Sequence, residues 1–222
     1  MPTLLFDLDG TLIDSAPDIA AALNQVLNGA GLDALSVPEV GMLIGEGVVR
    51  LVEKAFAVRG VVLPPERLAT EAALMNRLYD DALTVETFVL PHARDALESF
   101  YGEGIRTAVV SNKPGHLTRQ IIDHYRLTPF LHAVQGAEDH LPKKPAPDML
   151  LNAMKNAKGS ALDTVMVGDS GIDVKAARNA GIPVILVRGG YTTIPVDELG
   201  ADDVIDHLGH LRAALIRRGW SL

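Results

Sequence analysis

Apolar residues along the chain fall into two alternating patterns. Short continuous runs at Thr3–Leu8, Ile105–Val110, Thr164–Val167 and Pro183–Val187, with a weaker one at Asp203–Ile205, end on polar or turn-forming residues and predict buried strands. Helical spacing lies between them: Ala93–Phe100 after Pro91, Leu117–Tyr125 after Pro114-Gly115, Met149–Ala157 after Pro147, and Ala176, Ala177 and Ala180 up to a stop at Gly181. Strands alternating with helices predict an α/β fold, a doubly wound parallel sheet covered on both faces. A site on such a sheet is expected at the carboxyl ends of its strands.

The segment from about 16 to 84 breaks this rhythm. Three apolar stripes at helical spacing run through it: Ile19 to Leu27, Val48 to Phe56, and Leu68 to Ala82, the last launched by Pro64-Pro65. No strand pattern accompanies them. The expected organisation is a catalytic core of residues 1–15 and 85–222, with residues 16–84 as a small all-helical cap domain inserted after the first strand. An enlarged crossover without a core of its own is the alternative.

Composition narrows the function. Twenty Lys and Arg against 28 Asp and Glu give a net charge of −8, which argues against a nucleic-acid partner bound through a broad basic face. The absence of Cys removes disulfides, thiol nucleophiles and thiolate metal sites. No apolar run approaches a membrane span, and Asp7 and Asp9 interrupt the N-terminal one, so a signal peptide is not expected. These features predict a cytoplasmic protein without a membrane partner. They are silent on oligomeric state.

Four predicted strand ends carry reactive residue types. Asp7 and Asp9 close the first run before Gly10, and two carboxylates placed there need a cation or solvent. Ser111, Asn112 and Lys113 close the second just before a helix, which suits a phosphate cradle, although a simple helix cap would use the same residues. Lys144 precedes an extended Pro145-Ala146-Pro147; its neighbour Lys143 reads as the solvated one of the pair. Asp169 follows Gly168, and Ser170 with Asp173 has the form of a helix capping box that leaves Asp169 unexplained.

In this order and spacing the four segments resemble the motifs of the haloacid dehalogenase (HAD) superfamily of aspartate-nucleophile phosphotransferases, with its Rossmann-like core. The resemblance implies Asp7 as nucleophile, Asp9 as general acid and base, Ser111 on a phosphoryl oxygen, and Lys144 holding both nucleophile and phosphate. It implies Mg²⁺ held by Asp7, the main-chain carbonyl of Asp9 and Asp169, with Asp173 in support. Dehalogenases of this superfamily lack the second acid that stands here as Asp9. Strings such as Ile44-Gly45-Glu46-Gly47 and Gly189-Gly190-Tyr191 are most similar to the subgroup acting on 2-phosphoglycolate, which usually has Asn where Glu46 stands and commonly Thr where Ser111 stands. The expectation is a Mg²⁺-dependent phosphatase for a small phosphorylated metabolite, working through an aspartyl phosphate. A sugar phosphate or pyrophosphate as substrate, or a mutase reaction, shares the same motifs. Thr11, Asn112, Lys113, Gly45 and Arg50 are candidate substrate contacts, with Arg50 the nearest cation in sequence for a glycolate carboxylate. A phospho-accepting receiver module is the reading from another class, but it has neither Asp-x-Asp-Gly-Thr on its first strand nor a helical insert.

Overall fold

The computed structural model describes residues 1–221. In chain order, β1 (Thr3–Phe6) and β2 (Ile13–Asp14) lead into four helices, α1 (Ala16–Gly29), α2 (Val37–Gly41), α3 (Val48–Val58) and α4 (Pro65–Asp81). After β3 (Phe88–Val89) the alternation begins with α5 (Ala93–Gly102), β4 (Arg106–Pro114), α6 (Gly115–His124) and β5 (Ala133–Ala137). It continues through α7 (Asp148–Asn156), β6 (Thr164–Gly168), α8 (Gly171–Ala180), β7 (Val184–Val187), β8 (Asp203–Ile205) and α9 (Leu211–Arg217).

Six strands form one parallel sheet in the order β5-β4-β1-β6-β7-β8. The order changes direction at β1, the switch point where α/β sheets open a crevice. In register, Phe6 lies between Val109 and Val167, so Asp7 leaves the sheet level with the end of β6, while β4 runs on to Pro114. Both faces are apolar with period two. Leu4, Phe6, Val109 and Val167 pack on one side, and Leu5, Ala108, Val110 and Met166 on the other with Met149 and Leu150 of α7. The expected parallel α/β sheet is the one observed. Among the described residues no helix is long and apolar enough to cross a membrane.

The insert is helical, as its stripes predict, and Ile19, Leu23, Leu51, Phe56, Met75 and Tyr79 are buried in the apolar cluster that also covers the Leu4 face of the sheet. Two short linkers join insert to sheet, pairing antiparallel through Ile13–Val89 and Asp14–Phe88. Asp18, buried in the first turn of α1, ties the linkers together by accepting from Glu86 N (2.9 Å), Thr87 N (2.8 Å) and Thr87 Oγ1 (2.7 Å).

Four elements have no counterpart in the periodicity. Helix α2 is five residues long and rests on a Ser36–Glu39 capping box. Strand β5 reads Ala-Val-Gln-Gly-Ala, too polar and glycine-broken to register as an apolar run. Strands β2 and β3 are two residues each. Asp18→Ala would leave the Glu86 and Thr87 donors without a charged acceptor. It should cost about 2–4 kcal/mol in urea denaturation, and a loss below about 0.5 kcal/mol would show that the linkers do not depend on it.

Candidate active site

The β1 strand ends in a loop that folds back on itself, with Leu12 N and Ile13 N both donating to Leu8 O. Gly10 makes the turn at φ +82°, and a Cβ there would lie 2.4 Å from Asp169 Oδ2. Glycine is therefore required twice, for its dihedral and for the approach of the β6 loop. The loop leaves Asp7 at the strand end, its Oδ1 accepting from Leu8 N (2.7 Å) and pairing with Lys144 Nζ (2.8 Å). The same ammonium holds Asp173 Oδ1 at 2.7 Å. The other oxygen of Asp173 caps α8, accepting from Ser170 N and Oγ and from Asp169 N. Asp169 gives one oxygen to Tyr191 N (2.5 Å) and fits where Gly190 has no side chain.

Asp7, Asp169 and Asp173 are all buried, with one carboxylate oxygen from each lying within 4.8 Å of the others. One ammonium faces three carboxylates, so two negative charges remain in excess. Burial pushes the Asp7 carboxyl up to about 7 against the pull of Lys144, and burial with the neighbouring Asp173 pushes Asp169 well above the ordinary carboxylate range. Burial opposes the Lys144 ammonium too, but Asp173 and Asp7 outweigh it and hold it above the usual lysine range. A divalent cation is what such a cluster lacks, and an all-oxygen donor set suits Mg²⁺ better than Zn²⁺. Among the described residues, Asp7 Oδ2 and Asp169 Oδ1 have no hydrogen-bond donor and are free to ligate. Asp173 belongs to the same cluster, but both its oxygens already have partners, so it positions Lys144 and the Asp169 loop and its part toward a cation is a supporting one.

Asp9 lies in a separate, neutral arrangement. Its Oδ1 pairs with Lys113 Nζ (2.6 Å) and accepts from Ser15 Oγ (2.6 Å), while Lys113 also donates to Tyr79 Oη of α4 (2.7 Å). Burial works against the Lys113 ammonium, but Asp9 and Tyr79 hold it above the usual lysine range. Asp7, Asp9, Asp169, Ser111 and Lys113 line a cavity of about 60 Å³ between the strand ends and the insert. Apolar side chains of the insert, Ile19, Ile44, Val48, Leu51 and Met75, form much of its other wall. Such a volume corresponds to about four to five waters, which suits a small ligand.

Several expected contacts fall elsewhere. Arg50 does not line the cavity; it is half exposed and paired with Glu53 and Glu46 on the outside of α3. Glu46 is turned the same way and bonded to Lys54, so its charge does not oppose a bound anion. Thr11 is buried but off the cavity, its hydroxyl without a partner among the described residues. Asn112 lines the cavity, yet both ends of its carboxamide are taken up by main-chain groups, which leaves no spare N–H for substrate. Gly45, Ser111 and Lys113 do face the cavity.

Two tyrosines carry roles that the sequence does not assign. Tyr79 carries only the signal of an apolar stripe. Tyr191 follows the noted Gly189-Gly190 pair, and it ties Asp169 to the linker by donating Oη to Asp14 (2.6 Å) while accepting from Ser15 N and Ala16 N (both 2.9 Å).

The family model for haloacid dehalogenase-like hydrolases matches residues 4–187. The chain is 36% identical over 203 residues to the phosphoglycolate phosphatase of Caulobacter vibrioides, covering 91% of this chain and 86% of that one. It is 38% identical over 214 residues to a plasmid-borne phosphoglycolate phosphatase of Cupriavidus necator, covering 96% and 92%. A crystal structure described as a predicted phosphoglycolate phosphatase from Haemophilus somnus 129pt superposes with a TM-score of 0.87 at 25% identity, covering 97% and 98%.

A methyl group at Gly190 would lie 2.2 Å from Asp169 Cβ and displace that carboxylate. The wild-type chain should gain about 2.7 kcal/mol of stability at Mg²⁺ 100-fold above its Kd. Gly190→Ala should fold but lose most of this gain in thermal melts. An undiminished Mg²⁺ response would place the cation away from Asp169.

Proposed function

Because the chain belongs to the haloacid dehalogenase-like hydrolases, we propose that it is a Mg²⁺-dependent phosphatase acting through an aspartyl phosphate on a small phosphate monoester, 2-phosphoglycolate first among them. The observation that carries this reading is the convergence of Asp7, Asp9 and Ser111 on one small cavity with excess negative charge at its base.

Mg²⁺ would be held here by Asp7 and Asp169 with the Asp9 carbonyl, and would supply the positive charge that lets an anionic nucleophile approach an anionic phosphoryl group. Lys144 holds Asp7 by Oδ1 and so fixes its carboxylate at the cavity wall. Ser111, buried at the end of β4, offers its hydroxyl to a phosphoryl oxygen. In the first half-reaction an Asp7 oxygen bonds to phosphorus, the ester P–O bond breaks, and Asp9, entering the step protonated, gives that proton to the departing oxygen. In the second, Asp9 takes a proton from water as that water attacks phosphorus, releasing phosphate and restoring the Asp7 carboxylate. Lys113 and Ser15 fix Asp9 through Oδ1 and leave Oδ2 for proton transfer. Asp7 is only 9% exposed and Ser111 and Asp169 2% each, so a substrate reaches them when the insert, as a cap, swings on its two linkers.

The leaving group must lie beside Asp9, and Lys113 is the cavity-lining cation at that place. This supports a leaving group that itself carries an anion, and it gives Lys113 the part that sequence order suggested for Arg50. A panel of small phosphate esters should then rank 2-phosphoglycolate highest, with activity abolished by chelator and restored by Mg²⁺. Lys113→Met disturbs Asp9 for every substrate, so the ratio is informative. The kcat/KM for 2-phosphoglycolate relative to an aryl phosphate should fall by about 10- to 100-fold. An unchanged ratio would confine Lys113 to holding Asp9, and full activity after exhaustive metal removal would overturn the mechanism.

A further inference from the structure

Asn112 stands next to Ser111 at the end of β4 and is 4% exposed. Its carboxamide makes three bonds, all to main chain. The Nδ2 group donates to Lys144 O (2.8 Å) and to Gly45 O (2.9 Å), and Oδ1 accepts from Lys144 N (2.8 Å). The side chain therefore grips both backbone polar groups of the residue whose ammonium bridges Asp7 and Asp173. Its second N–H reaches across the cavity to the α2–α3 loop of the insert.

An amide with both hydrogens and its oxygen engaged has one rotamer available. If the insert moves away, the Gly45 carbonyl goes with it, and one of the two N–H groups loses its partner. The carboxamide is then restrained by the Lys144 loop alone, and among the described residues no other β4 side chain is hydrogen-bonded to that loop. We propose that Asn112 is a positioning residue that couples closure of the insert to the placement of Lys144, so that Asp7 is properly held only when the cavity is covered. The proposal rests on the reading of Asp7 and Lys144 given above. It requires no contact between Asn112 and substrate, because its polar atoms are already used.

The test has one arm that needs turnover and one that does not. In amide hydrogen exchange, Asn112→Ala should lower the protection of the Lys144 N–H by about tenfold or more while the β1 and β6 amides keep theirs. The chain has no cysteine, so a dye pair on Cys residues introduced at the exposed Ala57 and Lys155 reports the insert-to-sheet distance directly. The variant should shift that distance toward the open form. In kinetics, Asn112→Ala should lower kcat by about 10- to 100-fold with KM changed less than about threefold. In a Lys144→Ala background the same substitution should cost almost nothing further, since it acts through Lys144. The isosteric Asn112→Asp, which cannot donate to either carbonyl but keeps an acceptor for Lys144 N, should reproduce the distance and kinetic effects and serves if the alanine variant fails to fold. Multiplicative losses in the double variant, a raised KM at unchanged kcat, or unaltered Lys144 exchange would each overturn the coupling. A wild-type chain inactive on every phosphate ester would overturn the reading of the site instead, and the exchange and distance measurements would still decide the role of Asn112.

Discussion

Excess negative charge at the base of a covered cavity is the constraint on which the rest of the structure depends. Three carboxylates lie close together out of water, opposed by a single ammonium. Burial first, and then the charge of Asp173, raises the proton affinity of Asp7 and of Asp169. A site of this kind is costly to a fold and useful only to a ligand that brings positive charge. The neighbouring Asp9–Lys113 pair is different, one ammonium facing a single carboxylate.

The parallel sheet supplies the means to hold such a cluster. Asp7, Asp169 and Ser111 come from the ends of three adjacent strands, β1, β6 and β4, whose register is set by buried apolar residues several positions away. Lys144 arrives from the loop before α7 and is fixed at both backbone polar groups by Asn112. Glycines at 10 and 190 let the loops close on Asp169 from two sides. The insert completes the cavity from above, and Tyr191 and Asp18 fasten the linkers on which it is mounted.

The strands that bear the chemistry were legible because they are continuous apolar runs ending abruptly in Asp, Ser or Asp, a contrast that burial makes unavoidable. The insert was legible from its stripes, and Asp169 from its position outside the α8 capping box. Strand β5 was not, since an edge strand reading Ala-Val-Gln-Gly-Ala lacks apolar contrast. The roles of Asn112, Lys113 and Arg50 were beyond sequence for a common reason. Residue type tells what a side chain can bond, while its actual partner depends on which backbone or carboxylate the fold brings near. Asn112 meets Lys144 across 32 positions and Lys113 meets Asp9 across 104, whereas Arg50 finds Glu46 and Glu53 on its own helix or next to it.

The proposed mechanism assigns Asp7 as the group that takes the phosphoryl. The most direct measurement is acid quench of a single turnover with Mg²⁺ and labelled 2-phosphoglycolate, followed by mapping of the phosphorylated peptide. The account predicts a transient acyl phosphate on Asp7, absent from Asp7→Asn and formed at least as fast as phosphate is released. Turnover without a covalent adduct, or an adduct on any other residue, would contradict it.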